Sequence, residues 1–371
     1  MRNDPKKHPL IPDNLVIALI VHAFIGWGFL WLTKINTGRL NYNSYLALLP
    51  AAVFVIPVFF SAAKLHQVFP GKDIIFIYRK LLGNWLGTVF GAVFLTLVLF
   101  FLSGGVRISL IMVMTYFFQR TPYFFIMMIF WAVVLYLVLH GIRAISRLAG
   151  FMLIPPLLII YLLVFMGLFY VHTPHFRPCL AGTPAAWFEA AFDLIFVFYP
   201  VYSIFLYLPY IRRTKSVVKI GISSLALILP LFFLSILGAV GVFGIQAVEK
   251  MAWPTMEFFH IIDFPILLLE QAGLLFIITW YAFNLVAISQ TVCLVSKFYR
   301  ELCSTSMELG WFTVGTSLLI LILAGIPLNI TQIYLIFNKL NNFITVILLL
   351  IGIVPWMAAL IRFRRDKPCQ L

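Results

Sequence analysis

Charge is scarce in this chain. Asp, Glu, Lys and Arg make up 10% of its 371 residues, and of these only 12 are acidic. A soluble surface carries roughly 25–35% charged residues, so a water-facing exterior cannot be built here, least of all with 63% hydrophobic residues and a mean hydropathy of +1.06. Cysteine is scarce as well. Cys179, Cys293, Cys303 and Cys369 show neither paired spacing nor accompanying histidines, which argues against a metal site or a disulfide framework. Nucleophile elbows, phosphate-binding glycine loops and metal-ligand clusters are missing too, so no enzyme and no cofactor are expected. The shortage of acids leaves a net charge of +14. In a soluble protein that surplus would suggest nucleic acid, whereas in a membrane chain it reports which side of the bilayer each loop occupies.

What is present is apolar run after apolar run. At about 20 residues per crossing, the length allows about ten helices and leaves no separate aqueous domain. Runs between charged or turn-rich breaks cover approximately 13–33, 43–63, 85–118, 122–139, 148–171, 187–210, 217–243, 264–296, 308–327 and 341–361. The first is expected to be a retained span rather than a signal peptide, because no small-residue cleavage pattern follows it. With a cytoplasmic N-terminus, nineteen basic residues fall in the inner segments, six in the outer ones, and Arg107 alone inside a span. That asymmetry predicts both termini inside and an even number of crossings, with short cytoplasmic tails at 1–12 and 362–371.

The third and eighth runs each exceed thirty residues, about 50 Å if helical throughout. They lie five places apart. Ahead of the third, Ile74, Ile77, Tyr78, Leu81 and Trp85 recur at helical spacing opposite Lys72, Arg79 and Lys80, which predicts an amphipathic helix in the membrane interface. Residues 244–263 lead into the eighth from the other side. Such coincidences predict one all-α membrane domain with a five-plus-five inverted repeat, about 13–172 and about 185–362. In such folds the first helix of each half is interrupted near mid-membrane, freeing backbone groups for a polar ligand. Gly26-Trp27-Gly28 in the first run and Tyr199-Pro200 in the sixth stand where that symmetry requires interruptions, and both are expected to be non-helical.

Three groups of segments carry a family resemblance: Phe69-Pro70-Gly71-Lys72 with Leu82-Gly83-Asn84-Trp85-Leu86-Gly87; Thr121-Pro122 with Gly141-Ile142 and Arg147; and Trp253-Pro254-Thr255-Met256-Glu257 with Phe264-Pro265 and Leu269-Glu270. In order and placement the chain resembles the B subunit (GerAB type) of bacterial spore germinant receptors, a ten-span branch of the amino acid, polyamine and organocation (APC) transporter superfamily. The resemblance implies the LeuT-like interrupted-helix fold and residence in the spore inner membrane. It also implies a complex with receptor A and C subunits, and a small nutrient ligand, often an amino acid. The chain departs from the family pattern at telling places. Trp27 and Thr33 replace a small residue and a proline, Val201-Tyr202-Ser203 replaces Gly-aromatic-Glu, and Gln271 and Gly273 replace Arg and Asp. An ammonium that relied on the glutamate would lack its partner.

The candidate ligand-binding residues are therefore Gly26, Trp27 and Gly28 at the first interruption; Tyr199, Val201, Tyr202 and Ser203 at the second; and Tyr281 and Asn284, which share a face of the eighth span with Ser289. The structural alternative for such hydroxyls and amides is to satisfy neighbouring helices. Arg107 costs a few kcal/mol or more unless it faces protein or water. It reads either as a clamp for a ligand carboxylate or as half of a structural ion pair, with Asp193, Glu189 and Glu270 as possible partners. Three functions stay open: a nutrient-sensing receptor subunit, a secondary transporter of amino acids or related solutes, and a structural subunit whose ligand site has degenerated.

Overall fold

The computed structural model describes residues 9–29, 32, 45–176, 182–262, 272–327 and 329–362. Its first apolar segment is α1 (Asp13–Ala23), which continues into a π turn over Phe24–Gly28. Next come α2 (Leu48–Val68), the short α3 (Ile74–Leu82), α4 (Asn84–Tyr116), α5 (Tyr123–Phe151) and α6 (Ile154–Gly167), which tightens to 3₁₀ at Leu168–Tyr170. The sixth segment is composite: α7 (Pro184–Leu194), a 3₁₀ stretch Ile195–Tyr202, α8 (Ser203–Tyr207) and a last 3₁₀ turn Leu208–Tyr210. The chain then forms α9 (Thr214–Phe243), the short α10 (Ile245–Lys250) and α11 (Pro254–His260), α12 (Ala272–Leu302), α13 (Leu309–Gly325) and α14 (Ile330–Arg362).

Among the described residues, seven of these segments are long and apolar enough to cross a membrane, and three shorter apolar helices, Asp13–Gly28, Ile154–Tyr170 and Leu309–Gly325, stand at the remaining expected positions. Local chemistry sets several starts. The Asp73 side chain accepts from Phe76 N at 2.7 Å to open α3, Thr183 accepts from Ala186 N at 3.2 Å ahead of Pro184, and Asn329 accepts from Gln332 N at 2.9 Å at the head of α14. Residues 16–28 of the first segment and 190–210 of the sixth are almost wholly buried, so these stretches form the centre of the bundle. The lipid-facing sides of α5, α6 and α13 expose large apolar side chains instead.

Two spans and one interfacial residue differ from expectation. α14 begins eleven residues before the predicted tenth run, because Thr331, Gln332, Asn338 and Lys339 gave its first turns the look of a loop. α5 does not stop near residue 139 but kinks at Gly141, whose φ of 77° and ψ of 172° lie in a region that essentially only glycine occupies, and then runs on to Phe151. Trp85 belongs to α4 and is exposed, while Ile74, Ile77, Tyr78 and Leu81 of α3 are buried as expected.

The inverted symmetry is visible in how the long helices are fastened. α4 and α12 run antiparallel: Tyr281 donates to Ser109 O and Asn284 to Ser109 Oγ, while further along Thr96 and Tyr299 meet at 3.3 Å. α3, which precedes α4, holds the far end of α12 through Arg79, whose Nη2 donates to Leu302 O at 2.7 Å and Nη1 to Ser304 Oγ at 3.1 Å. α11, which precedes α12, holds the far end of α4, where Tyr116 donates to Glu257 Oε1 at 2.7 Å. Each short helix thus clasps the end of the other half's long helix.

Candidate functional site

Both expected interruptions leave α-helical geometry, but not by unwinding. The first widens to the π turn at Phe24–Gly28, and the second narrows to 3₁₀ over Ile195–Tyr202, so the non-helical backbone expected at each is replaced by helical turns that are wider than α at one and tighter at the other. The two pack directly against one another. A Cβ on Gly28 would stand 2.9 Å from Val197 O, and one on Gly26 would stand 3.0 Å from Asn284 Cα and from Ala287 Cβ, so glycine at 26 and 28 is what lets three backbones meet. Side chains from α12 and α14 serve carbonyls on these two segments. Trp280 Nε1 donates to Ile25 O at 3.0 Å, Gln290 Nε2 donates to Leu19 O at 2.9 Å while accepting from Tyr207 Oη at 2.7 Å, and Asn341 Nδ2 donates to Asp193 O at 3.3 Å. Buried carbonyls near an altered pitch need such partners.

Aromatic rings fill the space between. Tyr199 stacks on Phe101 with centroids 3.7 Å apart and meets Trp27 edge-on at 5.9 Å; Phe196 and Phe337 complete the cluster against Phe101 at 5.2 and 5.8 Å. The Trp27 indole lies over Gly105, where a Cβ would come within 2.9 Å of it. What remains is a cavity of about 20 Å³ lined by Trp27, Phe101, Tyr199, Tyr202, Ser203 and Thr291, among others, and another of about 10 Å³ beside Gly28 and Phe337. Water needs roughly 10–15 Å³ of such space, so this is a closed pocket of water size with neutral walls. The Ser203 hydroxyl faces it without a hydrogen-bond partner.

The candidate residues separate into groups. Trp27, Gly28, Tyr199, Tyr202 and Ser203 come together around these cavities. Val201 is wholly buried and lines neither. Tyr281 and Asn284 tie α12 to Ser109 on α4, and Ser289 donates to Leu285 O, so these polar groups are engaged within the bundle. Arg107 is 8% exposed and lies apart. Its guanidinium stands 4.5 Å over the Tyr123 ring in a cavity of about 460 Å³ shared with Gln119 and Asn329. Glu189 and Asp193 both lie on α7, and Glu270 lies outside the described residues.

Phe101, Phe196, Phe337, Thr291 and Asn341 were not singled out by sequence. Among 38 phenylalanines none stands out by pattern, whereas Asn341 carried a signal, being a polar residue in an apolar helix that must find a partner. Replacing it with Ala should lower the stability of the purified protein by about 1–2 kcal/mol. Thermal unfolding in detergent measures this, and an unchanged midpoint would show that the Asp193 carbonyl is served otherwise.

The model of the family described as "Spore germination protein" matches residues 10–333. The chain belongs to that family. Among curated relatives, the Spore germination protein YndE of Bacillus subtilis (strain 168) is 22% identical over 268 residues, 71% of this chain and 72% of that protein. The Spore germination protein GerQB of Bacillus cereus is 22% identical over 304 residues, 81% and 82% of the two chains. Solved structures with a similar fold include a manganese transporter of Eremococcus coleocola, with TM-score 0.64 and 17% identity over 96% of this chain and 82% of that one. MhsT in complex with L-phenylalanine gives TM-score 0.63 and 16% identity over 98% and 94%. The spore germination chain is therefore an all-helical integral membrane protein with the LeuT-type inverted-repeat fold, interrupted in its first and sixth helices.

Proposed function

We propose that this family member is the B-type subunit of a spore germinant receptor, in the spore inner membrane with both termini cytoplasmic, and that it binds a small nutrient between the two interrupted helices and signals through partner A and C subunits. The observation that carries this reading is the meeting of the π turn and the 3₁₀ stretch across a closed, neutral, water-sized pocket. A nutrient that needs more room than the pocket now has must bind an opened state better than the closed one, and that difference in affinity is what can drive a signal. The two repeat units, about 13–172 and about 185–362, are the parts whose relative movement would open it. Spores carrying this chain as their only B-type subunit test the reading: loss of nutrient-triggered germination on its deletion is expected, and unaltered germination would overturn it.

Arg107 adds a second requirement. It borders a separate, more open recess than the central pocket, where the planar fork of a guanidinium would meet a nutrient carboxylate on its way in. Replacing Arg107 with Gln should raise the nutrient concentration for half-maximal germination about 10- to 100-fold, the equivalent of a charged hydrogen bond of roughly 1.5–3 kcal/mol, with assembly intact. A normal dose response from that variant would remove the clamp.

A degenerate site is the second reading, favoured by the rings that occupy the pocket. Nutrient binding to the purified chain separates the two, and solute uptake into vesicles containing this chain alone would identify a transporter instead.

A further inference from the structure

Acidic side chains are rare in this chain, yet two of its 12 meet. Asp73 opens α3 by accepting from Phe76 N, and Glu301 lies in the last turn of α12, beyond the apolar run that ends near residue 296. Their carboxyls stand within hydrogen-bonding reach of one another, both partly buried, in the seam where Arg79 holds Leu302 O and Ser304 Oγ. Two carboxylates are acceptors only. A hydrogen bond between them requires that one carry a proton.

Among the described residues, the titratable groups that act on this pair come from three elements: Asp73 from the head of α3; Cys293, Lys297, Arg300 and Glu301 from α12; and Tyr210 from the end of the sixth segment. Lys297 is turned toward Tyr210, donating from Nζ to Tyr210 Oη at 3.0 Å. Arg79 is committed to Thr88 Oγ1 as well as to the end of α12. Burial is the first cause that raises the Glu301 carboxyl above the usual carboxylate range, the neighbouring Asp73 carboxylate adds to the rise, and Lys297 and Arg300 offset it only in part. A carboxyl raised in this way keeps its proton below the shifted range and releases it to water as the pH rises through that range.

We infer that Asp73 and Glu301 form a proton-operated latch between α3 and α12, closed while the two carboxyls share one proton and released when that proton departs. Once both are charged, like charges repel across the seam and draw in water, which weakens the joint that Arg79 also holds. The effect reaches the centre of the bundle. α12 carries Trp280 and Gln290, whose donors serve carbonyls of the first segment, and Thr291, which lines the central pocket. A proton bound at the end of α12 is therefore an effector of the helix that supports the two interruptions.

The full chain in lipid nanodiscs, spin-labelled at the exposed Cys303 and at Lys80→Cys with the other cysteines replaced by Ala, tests this through the distance between α3 and the end of α12. The pH is varied from about 5.5 to about 9.5, which brackets the range of buried glutamates. One short distance is expected at low pH, with a longer population growing as the pH rises. Glu301→Gln and Asp73→Asn each supply an amide donor that does not titrate, so both should hold the short distance throughout. Lys297→Met removes a cation that favours the charged pair and should move the midpoint up by roughly 0.2–0.7 pH unit. Infrared pH-difference spectra of the unlabelled chain should show a protonated-carboxyl band that fades over the same range and is absent from both amide variants. Unfolding midpoints in detergent show that the variants fold. A distance that ignores pH, a transition that survives both amide substitutions, or a missing carboxyl band would each overturn the inference.

Discussion

Spores that depend on this chain as their B-type subunit should germinate with a small neutral nutrient and respond at least about 100-fold less sensitively to lysine or arginine. An ammonium or guanidinium drawn into the central pocket must shed water at a net cost of several kcal/mol unless an anion meets it. The residues around that pocket are neutral: Trp27, Phe101, Tyr199, Tyr202, Ser203 and Thr291 provide rings and hydroxyls but no carboxylate. Ring faces return roughly 0.5–2 kcal/mol to a cation, which leaves a deficit of about 3 kcal/mol or more, and each 1.4 kcal/mol is tenfold. Dose–response curves for sugars, neutral amino acids and basic amino acids decide the matter. A dominant response to the basic ones would place the binding anion at Glu189, Asp193 or Glu270 instead.

The largest structural effect is expected at Trp27. Its indole fills the space over Gly105 and against Tyr199, so Trp27→Ala should destabilise the protein by about 3–5 kcal/mol and leave an enlarged central cavity. The same substitution restores the small residue characteristic of the resembling family at this place. Two opposed outcomes are therefore expected together: a lower unfolding temperature and a response that extends to bulkier neutral nutrients. Trp27→Phe keeps most of the volume and should retain the original selectivity at smaller cost. If the Ala variant unfolds earlier yet keeps its nutrient range, the rings around Trp27 serve packing alone.

Much of this could be read from residue order, and the exceptions have physical causes. Apolar runs of bilayer length and the two overlong runs mark where the helical segments lie, since in hydrocarbon a segment outside a barrel satisfies its backbone groups only as a helix. Gly26-Trp27-Gly28 and Tyr199-Pro200 marked the departures from α geometry. Glycine only permits a change of pitch, and proline only removes one donor, so neither chooses between a π turn, a 3₁₀ stretch and an extended break. That choice is made by partners distant in sequence: Trp280, Gln290 and Asn341 supply donors, and helical turns suffice once they do. Tyr281 and Asn284 were rightly placed on one face but turned to Ser109, because an amide or phenol in an apolar bundle takes the first acceptor within reach.

The reciprocal fastening of α3 and α11 has a mechanical consequence. α4 and α12 are 33 and 31 residues long, lack internal proline and are cross-tied at Ser109, so they behave as a pair of rods roughly 45–50 Å long. Arg79 grips one end of the pair and Glu257 the other. Rods joined in this way pivot like a seesaw, so a rotation that slackens the grip on one membrane face strains the grip on the opposite face. Should nutrient binding tilt the pair, anything that pulls on the Arg79 end must alter nutrient affinity by the same factor that the nutrient alters that pull.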